Sequence, residues 1–115
     1  MKPLLPTLRE KKRYLVFEVL SKSKIKAFNE VSKAIVKAYH SFSGDLGLAK
    51  AGVMVMPDKW NEQKQRGMIA ANHSSVNELR AGMLFVNKIN NQPASIRTVG
   101  LSGIMNKASK KYIAG

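Results

Sequence analysis

Three groups of cations carry most of the chemistry that this 115-residue sequence offers. They are Arg9, Lys11, Lys12 and Arg13 near the start, Lys22, Lys26, Lys33 and Lys37 in the first third, and Lys107, Lys110 and Lys111 near the end, with Lys50 as an isolated addition. Lys and Arg in such runs neutralise phosphates and release condensed counterions, a gain largely independent of nucleotide sequence. Residues 1–13, 21–43 and 93–115 each carry a net +4, so they account for +12 of the formal +13. Twenty Lys and Arg against seven Asp and Glu are the electrostatic footprint of a partner for a polyanion. Nucleic acid is the leading partner and an acidic membrane surface the second.

Other chemistries find few residues. The sequence contains no cysteine, which removes disulfides, thiolate metal sites and thiol nucleophiles together. His40 and His73 stand far apart with no carboxylate cluster at metal-ligand spacing beside them, so solvent-facing or capping roles suit them better. Asp45, Asp58 and Glu62 fall in turn and loop segments. Gly100-Leu-Ser-Gly103, ahead of Ile104-Met-Asn-Lys107, could bring backbone N–H groups close to an anion; a tight turn needing positive φ is the competing reading. Its spacing is not that of a P-loop or dinucleotide fingerprint. Trp60 could stack on a base or pack on its own hairpin.

The elements that must position these residues follow from periodicity. Pro3 and Pro6 discourage regular structure, so residues 1–12 read as a partly ordered basic arm ahead of one domain over 13–115. Tyr14 to Leu20 is β-branched and aromatic, a first buried strand. Ser21 and Ser23 offer N-caps for a helix to about Phe42, with Ile25, Phe28, Val31, Ile35, Tyr39 and Phe42 on its core face. On that helix Lys22, Lys26, Lys33 and Lys37 form a stripe opposite the core, either an RNA contact or simply a solvated face. Gly44 and Gly47 end it.

Gly52 to Met56 reads as strand two, 59–66 as a loop and Gly67 to Asn72 as strand three. Ser75 and Glu78 form a capping box for a second helix presenting Val76, Leu79, Met83 and Val86, ended by Asn90, Asn91 and Pro93. Strand four runs from Ser95 to Leu101, and Ile104 to Tyr112 is a short basic helix or tail.

The expected fold class is therefore α+β: a ferredoxin-like βαββαβ sandwich with a four-stranded antiparallel sheet and two main helices. RNA-recognition motifs share this topology and stack bases on sheet aromatics. Here strand three lacks aromatics, and Tyr14 and Phe17 fall on opposite faces, so an apolar open face would suit a protein partner better. No signal peptide is recognisable and no stretch reaches the ~20 apolar residues of a membrane span, so a cytoplasmic setting is expected.

Pro6-Thr-Leu-Arg-Glu-Lys-Lys-Arg-Tyr14, Gly44-Asp-Leu-Gly-Leu-Ala-Lys-Ala51 and Val99-Gly-Leu-Ser-Gly-Ile-Met-Asn-Lys-Ala108 resemble the signature regions of archaeal ribonuclease P protein component two. That family is the counterpart of a small subunit of eukaryotic ribonuclease P and ribonuclease MRP. The resemblance covers nearly the whole chain. It implies a ferredoxin-like subunit of the ribonucleoprotein that removes the 5′ leader from precursor tRNA, with catalysis and magnesium in the RNA and no cofactor on the protein. The implied partners are ribonuclease P RNA and protein component three, with precursor tRNA met indirectly, and a homodimer within a heterotetramer is the assembly it allows.

Carried over by position, Arg9, Lys11, Lys12 and Arg13 match the family's basic N-terminal motif, and Gly100, Ser102, Gly103 and Lys107 its C-terminal one. Ile104 stands where Thr is familiar, Asn106 where a basic residue is familiar, and Ala70 where family members can carry Arg, each losing a polar or charged contact. The expected function is RNA binding that stabilises the catalytic domain of the RNA. A protein-interaction module that touches RNA little is the alternative, and an enzyme acting alone lacks the nucleophile or metal set it would need.

Overall fold

In the computed structural model, which describes residues 11–113, five strands form one antiparallel sheet in the order β2-β3-β1-β5-β4. They are β1 (Lys12–Ser21), β2 (Met54–Val55), β3 (Arg66–Asn72), β4 (Lys88–Ile89) and β5 (Gln92–Ser102). The four strands β2, β3, β1 and β5 keep a broadly ferredoxin-like order. The sheet departs from the four-stranded expectation at Asn90-Asn91, where both residues adopt positive φ and turn the chain through a tight hairpin between β4 and β5. Asparagine tolerates that conformation, and two consecutive positive-φ residues favour a hairpin turn over a helix end.

Helix α1 (Phe28–Ala51) starts later and ends later than its periodicity suggests. Strand β1 continues to Ser21, and the link that follows is pinned by the buried Gln65 amide, which accepts from Ile25 N at 2.8 Å and donates to Ile25 O at 2.9 Å. Ser21 and Ser23 therefore cap no helix, and Ser21 Oγ donates instead to Ser23 O. Gly44 breaks the helix at φ 77°, after which helical turns resume and Gly52, at φ 58°, ends it. Helix α2 (Val76–Met83) stops before Leu84, and Ser75 makes no side-chain cap, so the capping box does not form. Strand β2 shrinks to two exposed edge residues.

Leu15, Phe17 and Val19 of β1 point to one face, where α1 and α2 bury them with Val31, Ile35, Tyr39, Leu79 and Met83. Trp60 joins this layer, stacked with its ring centre 6.4 Å from that of Phe17 and tilted against Phe28 at 5.8 Å, so packing claims the indole. Phe42, expected in the core, is 49% exposed instead and packs against Phe85.

The opposite face is not open. Helix α3 (Met105–Ala108) and its wider continuation through Ser109–Ile113 lie across it, and Ala108 and Ile113 bury Val16 and Met68. Gly100 lies within β5, outside the positive-φ set, and a Cβ there would overlap the Tyr112 ring; close packing, not turn geometry, requires the glycine.

A polar tie holds this lid. Glu18 faces Arg66 and Arg97 across the two neighbouring strands, accepting hydrogen bonds at 3.1 and 2.7 Å, while Arg66 Nη1 donates to Tyr112 O at 2.9 Å. Asn61 Nδ2 adds a bond to Ile113 O at 3.0 Å. Burial by itself raises the Glu18 carboxyl, but the hydrogen bonds and charges of Arg97 and Arg66 outweigh it and hold the group below its ordinary value of 4.5. A carboxyl depressed in the folded state stabilises the fold above its unfolded value and loses that contribution as pH falls through the folded one. Glu18→Gln should therefore cost about 1–3 kcal/mol at pH 7. On acidification below 4.5 its melting temperature should fall less steeply than that of the unsubstituted protein, as calorimetry would read.

Candidate nucleic-acid interface

Strand pairing brings the two ends of the sequence together. The ladder between β1 and β5 sets Tyr14 opposite Ser102, while that between β1 and β3 sets Lys12 opposite Asn72. His73 N extends the second ladder by donating to Lys11 O at 2.7 Å. At this end of the sheet lies a shallow pocket of about 560 Å³ lined by Lys11, Lys12, Arg13, Tyr14, His73 and Gly103. Among the described residues its lining has three cationic side chains and no carboxylate.

Within it the cations differ in role. Lys12 Nζ donates to Gly52 O at 2.6 Å and so closes the end of α1 against the sheet. Lys11 is exposed, and Arg13 is partly buried, its Nη1 lying 3.5 Å from His73 Nδ1 and its Nε buried without a hydrogen-bond partner among the described residues. Fixed strand backbones hold these groups at the rim, which limits the entropy lost when they meet a ligand.

The remaining sequence-derived candidates scatter. Arg9 lies outside the described residues. Lys50 is exposed in the last turn of α1, and its carbonyl accepts from Asn72 Nδ2 at 2.9 Å, which sets it at the same end of the sheet without lining the pocket. Ser102 Oγ is engaged locally, accepting from Ile104 N and donating to Ile104 O. Gly103 borders the pocket, whereas Gly100 sits beneath Tyr112. Lys107, Lys110 and Lys111 are exposed on the C-terminal helical segment, with Lys111 Nζ 5.4 Å from the Tyr112 ring centre. Lys22 and Lys26 precede α1, so only Lys33 and Lys37 share a helix and the four-lysine stripe does not exist.

His73 is the pocket residue that sequence reasoning passed over. Its position next to a helix start carried no signal, because what gives it a role is the cross-strand neighbour Arg13, 60 residues away. His40 instead pairs with Asp45 across the Gly44 break. Among the described residues no three His, Asp or Glu side chains gather as a metal site, and no helix is long and apolar enough to cross a membrane.

Fold and site together define a small α+β protein with a ferredoxin-like sheet, a self-covered face and a cationic pocket where its terminal motifs meet. The model of the Rpp14/Pop5 family matches residues 13–113, and the chain belongs to that family. It is 37% identical over 113 residues to ribonuclease P protein component 2 of Thermococcus gammatolerans, covering 98% of this chain and 92% of the relative. The same component of Pyrococcus furiosus is 34% identical over 113 residues, with the same two coverages. Among solved structures, a chain of yeast ribonuclease MRP shares the fold at a TM-score of 0.62 and 10% identity, covering 83% of this chain and 76% of that one.

Proposed function

We propose that this chain is an RNA-binding accessory subunit of a ribonuclease P-type ribonucleoprotein, assisting RNA-catalysed removal of the 5′ leader from precursor tRNA. The observation that carries this reading is the pocket at which Lys11, Arg13 and Gly103, from opposite ends of the sequence, converge with no carboxylate among its described lining residues. Cations held on strand ends lower the repulsion between phosphates of a folded RNA, so the active conformation needs less magnesium. Magnesium and the reacting bond stay with the RNA; the protein supplies charge, shape and docking.

The partner surface has its own support. Phe42 and Phe85 pack at 5.8 Å and stay 49% and 65% exposed, beside a groove lined by Ala34, Ala38 and Val86 with Lys37 and Lys88 at its rim. This patch suits docking on a protein such as component three. A homodimer of this chain at the centre of a heterotetramer fits the same scheme, with RNA reached from the cationic ends.

Reconstitution tests the proposal. Adding this protein with component three to ribonuclease P RNA should lower the magnesium needed for half-maximal cleavage of precursor tRNA by at least about twofold. An unchanged requirement would count against it. Tight binding to component three with no salt-dependent affinity for RNA would favour the protein-interaction reading.

A further inference from the structure

We infer that His73 and Arg13 together form a phosphate-binding pair whose grip on RNA depends on pH, so that the protein takes up a proton as it binds. This rests on the reading of the pocket as an RNA contact and adds a residue and a regulation to it.

The geometry sets the roles of the two groups. A guanidinium only donates hydrogen bonds, so Arg13 Nη1, 3.5 Å from His73 Nδ1, requires that nitrogen to accept when the ring is neutral. The ring proton then resides on Nε2. Protonation turns both ring nitrogens into donors and places two positive groups side by side. An anion contacting both relieves that repulsion and favours the charged ring. A phosphate diester, with two acceptor oxygens and one negative charge, suits a guanidinium and an imidazolium held this close.

Among the described residues that line the pocket none is an anion. The described residues that line the pocket with His73 are Lys11, just ahead of β1, Lys12, Arg13 and Tyr14 from β1, and Gly103 from the link after β5, and none of them is a carboxylate. Lys12 is committed to Gly52 O, and Asn72, next to His73, to Lys50 O. His73 itself is exposed and fixed through its backbone to Lys11, so a polymer can reach the ring without rearrangement of the strand. The protein has only one other histidine, His40, paired with Asp45, which supplies an internal control.

The test is the affinity of the full chain for a fluorescein-labelled RNA hairpin by anisotropy, at pH 8 and pH 6 and at two salt concentrations. The unsubstituted protein and His40→Gln should bind roughly tenfold tighter at pH 6 than at pH 8, as uptake of up to one proton allows. His73→Gln should lose most of that difference while melting at an unchanged temperature. His73→Lys, permanently charged, should bind tightly at both values and so separate loss of charge from loss of structure. Equal pH dependence in the His73→Gln variant and the unsubstituted protein, with salt-dependent binding retained, overturns the inference but leaves the RNA-binding reading intact. Absence of salt-dependent RNA binding in every variant overturns both.

Discussion

Reversing Lys11 and Arg13 together to Glu is expected to weaken RNA binding by roughly 100-fold at moderate salt, the loss of two charge-assisted phosphate contacts. The slope of log affinity against log salt should also fall by about 2 units in magnitude, since each lost contact no longer releases its counterion. Reversal of Lys59 and Lys64, on and after the turn that follows β2, should cost under about threefold at the same salt. Filter binding across a salt series separates these outcomes, because a weakened slope reports lost phosphate contacts, whereas a misfolded protein loses binding and its thermal transition together. Equal losses in the two double variants would mean that net charge, not the pocket, governs binding. Lys12 is left out by design. Its ammonium holds Gly52 O, and replacing it would disturb the end of α1 as well as the pocket.

The largest effect on stability is expected at Phe17. Its ring is fully buried between α1 and the β2–β3 connection, touching Phe28 and Trp60, and it lies so close to Gly67 that a Cβ there would approach within 2.8 Å. Phe17→Ala should cost about 3–5 kcal/mol, the loss of transfer free energy plus the cavity left behind. Against the roughly 5–15 kcal/mol of a typical domain, that is about a fifth of the total at the least. Urea denaturation should show an earlier midpoint with little change in slope. A loss below about 1 kcal/mol would mean that Trp60 and Phe28 collapse into the space.

Parts of this fold were legible because their causes are local. The first and third strands are short runs whose side chains alternate between two layers, and Val31, Ile35 and Tyr39 recur at helical spacing and are buried as that spacing predicts. The misread elements share a different cause. The helix start waited on Gln65, forty residues distant from the Ile25 backbone it holds, and the fifth strand appeared because Asn90 and Asn91 turned a supposed helix end into a hairpin. Gly100 looked like turn chemistry and proved to be a seat for Tyr112. Phe42 belonged to the apolar period yet is half exposed and packs on Phe85 of the chain after α2.

Composition and patterning by themselves determined that this chain is a basic α+β protein without thiol chemistry, that its excess charge is concentrated near its ends, and that its strings resemble a ribonuclease P subunit. Those properties reside in residue types and short-range order, which need no partner to be read. Tertiary structure decided which cations act together. It paired β1 with both β3 and β5, drawing Lys11, Arg13, His73 and Gly103 into one pocket, and it dissolved the lysine stripe by starting α1 after Lys26. It also closed the second sheet face with the chain's own C-terminal helix. Strand register is fixed by burial of both sheet faces at once, a property of the whole sheet, so neighbours across it are invisible in any single segment.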